Sequence, residues 1–193
     1  MNLCEFHIAK NKGFLYNIVV GREDYKIVLL EDNMIDNRKL KVYLDTSVIS
    51  YLWQLDTPEK MQETLALWDV LKKERFDIYL SDVTIDEVNE CPEEKRTKLF
   101  DCLKQIKYTR LSISNEFADI AKQIIELGIL REKSRDDANH IGIALANELN
   151  YIISWNFKHM VNVKTVNGIR AITNLRGYND IDLVTPTFFL GEE

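Results

Sequence analysis

The sequence predicts an α/β fold, a three-layer α/β/α sandwich built on a central parallel sheet, with a β-hairpin ahead of it. Short apolar runs rich in β-branched and aromatic residues, near 42–44, 76–80, 108–111 and 151–154, alternate with stretches of helical periodicity. Strands separated by helices cannot be joined by tight turns, so they run parallel, and a parallel sheet needs both faces covered. The first forty residues break the alternation, because two strand-like runs, 14–20 and 25–30, flank Gly21-Arg22-Glu23-Asp24, a loop of hairpin length.

A lone hairpin is marginal in water, so this one is expected to pack on the following domain or on a second copy of the chain, with a symmetric homodimer as the commonest arrangement. Residues 31–40 are polar and read as its tether, which divides the chain into a 1–40 extension and a 41–193 domain. Val42 to Leu44 then reads as a buried strand that stops at Asp45. Thr46 and Ser47 have N-cap chemistry for a short helix from about Val48 to Trp53. Thr57-Pro58 opens a longer helix, with Met61, Leu65, Trp68 and Leu71 near helical spacing. Phe76 to Leu80 is the second strand, and Ser81-Asp82 caps the helix that carries Glu87. Pro92 starts a helix to about Lys104, Tyr108 to Leu111 is a third strand, and Ser114 caps a helix stopped by Gly128. Arg135 to Asn150 has the clearest helical stripe: Ala138, Ile141, Ala144, Leu145 and Leu149. Tyr151 to Ser154 is the fourth strand, and a last helix lies within 161–174.

Composition narrows the function. A length of 193 residues suits one domain with an appendage. No apolar run approaches the roughly 20 residues that span a bilayer, and no signal segment is evident, so a cytoplasmic protein without membrane contact is expected. Cys4, Cys91 and Cys102 are odd in number and irregular in spacing, which suggests neither disulfides nor zinc. A net charge of −6 argues against a broad basic surface for nucleic acid. It is compatible with clustered carboxylates neutralised by divalent cations. The seven glycines include none in phosphate-loop spacing, which disfavours a nucleotide cofactor.

In a parallel sheet, acids at the carboxyl ends of strands converge even when distant in sequence. Asp45 ends the first strand, Glu87 lies about two turns into the helix after the second, Asp137 is in the first turn of the strongest helix, and Asn156 follows the fourth strand. The plainer reading of Asp45 is a helix cap. Asp136 and Asp137 are adjacent, so on a helix they point about 100° apart and only one of them can face the cluster squarely. His140 shares a face with Asp137 and reads as a structural hydrogen-bond partner rather than a base, and His159 as packing or surface. Trp155 and Phe157 either stack on a base or pack in the core. Arg131, Lys133, Arg135 and Lys158 either grip phosphates or form a solvated charged face. Thr46 and Ser47 stand where a helix N-terminus could steady a phosphate or a water.

The series YLDTSVISYL, DVTIDEV, RDDANHIGIALA, YIISWNFKHMVN and VTPTFFL resembles PIN-domain ribonucleases, including the VapC-type toxins of bacterial toxin–antitoxin pairs, over residues 41 to 190. The resemblance implies a PIN-like sandwich and a Mg2+- or Mn2+-dependent endoribonuclease acting on RNA. A cognate antitoxin protein is an implied partner. Asp45, Glu87 and Asp137 match the family's acidic positions, and so become the implied metal ligands and catalytic residues. The fourth position is usually acidic and here is Asn156, which lacks the charge for a second metal. A catalytically weak PIN-fold module that binds RNA or protein is the alternative. An aspartyl phosphotransferase is disfavoured, since Asp45-Thr46-Ser47 has no second aspartate two residues on.

Overall fold

The structure is a computed structural model that describes residues 6–11, 14–20, 25–28, 39–112 and 114–190, with side-chain surroundings from Lys39 onward. The chain divides into two compact units, Met1–Arg38 and Lys39–Glu193. In the first, β1 (Phe6–Asn11), β2 (Phe14–Val20) and β3 (Tyr25–Val28) form an antiparallel sheet in the order β1-β2-β3. The expected hairpin is the β2–β3 pair, with Val20 opposite Tyr25. β1 was not expected: its apolar alternation rests on Phe6 and Ile8 alone before Lys10 and Asn11 interrupt it. The loop 21–24 and the tether 31–38 lie outside the described residues.

The second unit is the predicted sandwich. Its sheet contains β4 (Leu40–Leu44), β5 (Phe76–Ser81), β6 (Tyr108–Leu111), β7 (Tyr151–Ile153) and β8 (Asp182–Val184), all parallel, in the order β6-β5-β4-β7-β8. The helices are α1 (Thr46–Tyr51), α2 (Pro58–Leu71), α3 (Asp82–Asn89), α4 (Glu93–Leu103), α5 (Asn115–Glu126), α6 (Arg135–Ala146) and α7 (Val163–Arg176). The edge strand β8 escaped the sequence reading because three residues are too few to show a period.

Strand alternation splits the interior into two cores. Val42, Leu44, Ile78, Leu80 and Ile153 point to one side, where they pack with Val48 and Ile49 of α1, Leu67, Trp68 and Leu71 of α2, Val88 of α3 and Leu99 of α4. Tyr43, Ile152 and Leu183 point to the other side, against Phe117, Ile120 and Ile124 of α5, Ile141 and Leu145 of α6, and Ile169 and Ile172 of α7. From β4 the chain winds outward through β5 to β6, then returns to β7 on the other flank of β4. Between β4 and β7 the direction of winding reverses, and the crevice at such a point is where open α/β sheets bind ligands.

The crossing of α5 and α6 is set by a small residue. A Cβ on Gly142 would stand 2.7 Å from the carbonyl oxygen of Phe117 and 3.2 Å from the amide nitrogen of Ala121, both backbone atoms that yield only if the helices part. Gly142→Ala is therefore expected to destabilise the domain by about 1–3 kcal/mol, the usual cost of overpacking. Thermal unfolding should show a drop of roughly 2–4 °C per kcal/mol. A variant that melts with the parent would show that α5 and α6 separate without cost.

Candidate functional site

Tyr43 and Asp45 are two residues apart on and just beyond β4, so they share a face. Asp45 is extended (φ −67°, ψ 152°) and is itself the N-cap of α1, accepting a hydrogen bond from the Ser47 amide at 3.3 Å. The cap is thus one residue earlier than Thr46 and Ser47, because a carboxyl group reaches the amide two residues on more directly than a hydroxyl does. Asp45 Oδ2 also accepts hydrogen bonds from Ser47 Oγ and, at 2.7 Å, from Ser154 Oγ at the end of β7. The Trp155 amide donates to Ser47 Oγ at 2.9 Å and the Asn156 amide to Ser154 Oγ at 2.9 Å. Two hydroxyls therefore stitch the ends of β4 and β7 together around a carboxylate only 5% exposed. Capping occupies Oδ2 and leaves Oδ1 free to face the site.

His140, buried on α6, faces that second oxygen. Its Nε2 lies 3.5 Å from Asp45 Oδ1 and 3.3 Å from Glu87 Oε2, while Nδ1 lies 2.6 Å from the Tyr43 hydroxyl. Tyr43 Oη is also 2.6 Å from Ser81 Oγ, which caps α3, the helix that presents Glu87. Burial favours the neutral imidazole, but Tyr43, the hydrogen bond to Glu87 and the nearby Asp45 charge outweigh it and hold the His140 pKa well above the ordinary histidine value. For Glu87, burial works upward, yet His140 and the neighbouring Thr46 hydroxyl prevail and keep the carboxyl below its usual range. Doubly protonated, His140 donates to Tyr43 at one end and to the carboxylates at the other.

Asp137, in the first turn of α6, has the opposite balance. Burial and the charge of Asp45 raise its pKa, only partly offset by His159, His140 and a hydrogen bond from Asn156. Asn156 is a bridge: its Nδ2 donates to Asp137 Oδ1 at 2.7 Å and its Oδ1 accepts the His159 amide at 3.0 Å. Asp136 is exposed.

Asp45 and Glu87 thus share one imidazole, and Asp137 feels the charge of Asp45. Among the described residues, no three His, Cys, Asp or Glu side chains converge tightly enough to hold a metal ion. Here the carboxylates are engaged by His140, Ser47, Ser154 and Asn156 instead. The donor chemistry nevertheless suits a hard divalent cation, since Asp45, Glu87 and Asp137 offer oxygen alone. Beside them the buried Thr46 Oγ1 makes no well-formed hydrogen bond, although it lies near enough to Glu87 to lower that carboxyl.

The remaining candidates separate. Ser47 Oγ is committed to Asp45 and Trp155, and Arg135 is paired with Glu132. Arg131, Lys133 and Lys158 line a cleft of their own. Trp155 is buried with its indole N–H donating to Thr64 Oγ1 at 2.8 Å, whereas Phe157 is 47% exposed. Their rings and that of Tyr51 surround the Lys60 ammonium at 5.1–5.4 Å. Tyr43 and Ser154 adjoin the acids but were not singled out from the sequence, and Ser81 was read only as a helix cap. The available signals were the two-residue spacing of Tyr43 and Asp45 and the hydroxyl that closes each of two strands.

A raised acid pKa means that the folded state binds the proton more tightly than the unfolded one. The stabilisation is present below the unfolded pKa, about 3.9 for Asp, and is lost as pH rises through the folded value. At pH 7 the ionised Asp137 therefore weighs against the metal-free fold. Asp137→Asn should raise the melting temperature at pH 7 in EDTA, with the difference from the parent shrinking as the pH approaches 4. A melting temperature unchanged or lowered at pH 7 would contradict this balance.

Comparison with known proteins places this geometry in a family. The PIN domain family matches residues 41–158, a span that includes Asp45, Glu87, Asp137 and Asn156. Among solved structures, a chain of the Rickettsia felis VapBC2 complex, crystallised with a DNA fragment from its promoter, aligns with a TM-score of 0.48 at 13% identity, covering 76% of this chain and 98% of that one. No curated protein matches the sequence. PIN domains are generally nucleases, and with most of its length matched this chain belongs to the PIN domain family.

Proposed function

We propose that the chain is a Mg2+- or Mn2+-dependent endoribonuclease that hydrolyses RNA phosphodiester bonds in a toxin-like role. The observation that carries the reading is the meeting of Asp45, at the end of β4, and Glu87, on the helix after β5, at the buried imidazole of His140, with Asp137 in the first turn of α6 near enough to feel the charges of Asp45 and His140. Asp45, Glu87 and Asp137 would hold the cation, which when bound lowers the pKa of a water and offsets charge on the phosphoryl oxygens. The protein's own part is orientation. Ser47 and Ser154 fix one oxygen of Asp45, His140 holds Glu87 in its ionised form, and Asn156 aligns Asp137. Asn156 has no proton-accepting carboxylate and cannot serve as the base.

The toxin-like role and a cognate antitoxin rest on the sequence resemblance of residues 41–190. Residues 41–193 carry the chemistry in this reading, and the 1–40 extension is structural or regulatory, packing on that domain or on a second copy of the chain in a homodimer. The setting is cytoplasmic. Among the described residues no helix is long and apolar enough to cross a membrane. Asn156 at the usually acidic fourth position favours a second reading, a weakly active or inactive PIN-fold module that binds RNA or a protein.

Incubation of the full chain with a mixed RNA pool in Mg2+ or in EDTA separates the two readings: cleavage in Mg2+ alone supports the nuclease, and binding without cleavage the module. Asp45→Asn should lower cleavage by more than the roughly 10–100-fold typical of residues that only orient a metal ligand. Its circular dichroism should remain that of the parent. Loss of folding together with activity would make Asp45 chiefly a cap.

Asn156→Asp removes the N–H donor to Asp137 and sets a fourth carboxylate beside it. In EDTA the variant should melt lower than the parent, and in calorimetry it should bind a divalent ion more tightly or in greater number. Unchanged stoichiometry and affinity would put residue 156 outside the metal's reach.

A further inference from the structure

A second cleft, of about 250 Å3, opens between the 3-10 turn ahead of α6 and the start of α7. Arg131, Lys133, Lys158, His159 and Lys164 line it, together with Asn162 and a short apolar edge, and no carboxylate does. That is unexpected in a chain of net charge −6. Several cations elsewhere are matched by neighbouring acids, among them Lys72 by Asp69, Lys104 by Asp101, Lys107 by Glu74 and Arg110 by Asp82. Among the described residues, Arg131, Lys133 and Lys158 have no such partner, and Lys164 reaches only the Gly128 carbonyl, at 2.7 Å. Gathered cations without a counter-charge raise the local potential, and an anion that enters relieves it.

The floor of the cleft is fixed before any ligand arrives. Asn162 Oδ1 accepts the Thr165 amide at 3.0 Å, its Nδ2 donates to Thr165 Oγ1 at 3.1 Å and to the Lys158 carbonyl at 3.2 Å, and Thr165 Oγ1 donates to the His159 carbonyl at 2.8 Å. The segment is also tied to the acid cluster. Asn156 accepts the His159 amide with one end of its side chain and donates to Asp137 with the other. A single side-chain amide thus links the cationic cleft to Asp137.

We propose that this cleft is a backbone-phosphate subsite for RNA, in which Arg131, Lys133 and Lys158 hold the non-bridging oxygens of a phosphodiester neighbouring the one at the acid cluster. The assignment rests on the nuclease reading and adds to it where the strand is gripped. Arg135, paired with Glu132, is not part of the grip.

The test uses the full chain carrying Asp45→Asn, so that RNA is bound but not cut, with a fluorescein-labelled single-stranded oligoribonucleotide in Mg2+ and anisotropy read over a salt series. Arg131→Gln, Lys133→Gln and Lys158→Gln should each weaken binding severalfold and reduce the slope of log affinity against log salt by about 0.7, the value for one phosphate contact on a single strand. Arg176→Gln, an exposed cation at the far end of α7, should change neither. If the three variants bind as Arg176→Gln does, the subsite is overturned while the nuclease reading stands. If the parent fails to bind the oligonucleotide and the unsubstituted chain fails to cleave RNA, both fall. A parallel titration with inorganic phosphate at matched ionic strength distinguishes the source of the anion. Saturation by free phosphate that leaves RNA affinity untouched would make the cleft an anion site unrelated to RNA and overturn the proposal.

Discussion

Carboxylates gathered at one end of a sheet repel one another, and the contact that this end of the molecule depends on is the buried imidazole of His140. One nitrogen serves Asp45 and Glu87, and the other is anchored on the Tyr43 hydroxyl, itself held by Ser81. The partners come from β4 and its end, from β5, from α3 and from α6, so the hydrogen bonds that position the acids also fix α6 and α3 against the end of β4. Breaking a buried, paired charge by removing one member commonly costs several kcal/mol, because the other members keep their desolvation without compensation. His140 offsets the burial of Asp137 only in part, and that carboxyl accordingly shifts toward the protonated form while Glu87 shifts away from it. The environment has separated two chemically similar acids into different proton affinities, an arrangement often found where groups are poised for reaction.

The sandwich was legible in the sequence because each of its layers has its own period. Val42 and Leu44 face one core and Tyr43 the other, so β4 reads as a continuous apolar run, the signature of a strand buried on both faces. Asp45 and Glu87 were legible because a parallel sheet brings the ends of its strands together whatever the distance between them in sequence, whereas Asp137 follows a helix, α5, and was picked out by its motif. Elements too short to display a period, such as β8, or diluted by Lys and Asn, such as β1, were not. At the site, hydrogen bonds between distant residues were the hidden part. Tyr43 and His140 are 97 residues apart, and nothing in either segment announces the other.

Local spacing also misled among the basic residues. Arg131, Lys133 and Arg135 look like one cluster in the sequence. The turn at Glu132–Ser134 and the reach of Arg135 back to Glu132 divide it, leaving two of the three with Lys158, which arrives from beyond β7. Asn156 reads as an acid lost, yet its side chain makes two hydrogen bonds of opposite polarity, one donated and one accepted. A carboxylate could not make both.

The position of β4 has a consequence for how the molecule comes into being. It is the first strand of its unit to leave the ribosome, yet it is the middle strand of the finished sheet, and the flank that meets β7 waits for residues about a hundred positions later, as the 109-residue separation of Asp45 and Ser154 shows. Contacts of such long range close late, after the loop entropy between them has been overcome. A nascent chain that stops short of Ser154 therefore has a half-sheet with β4 open along one side and an Asp45 with only the nearer of its two hydroxyl partners. The surroundings of the acids are finished only when Ser154 and Asn156 have been made, about four-fifths of the way along the chain.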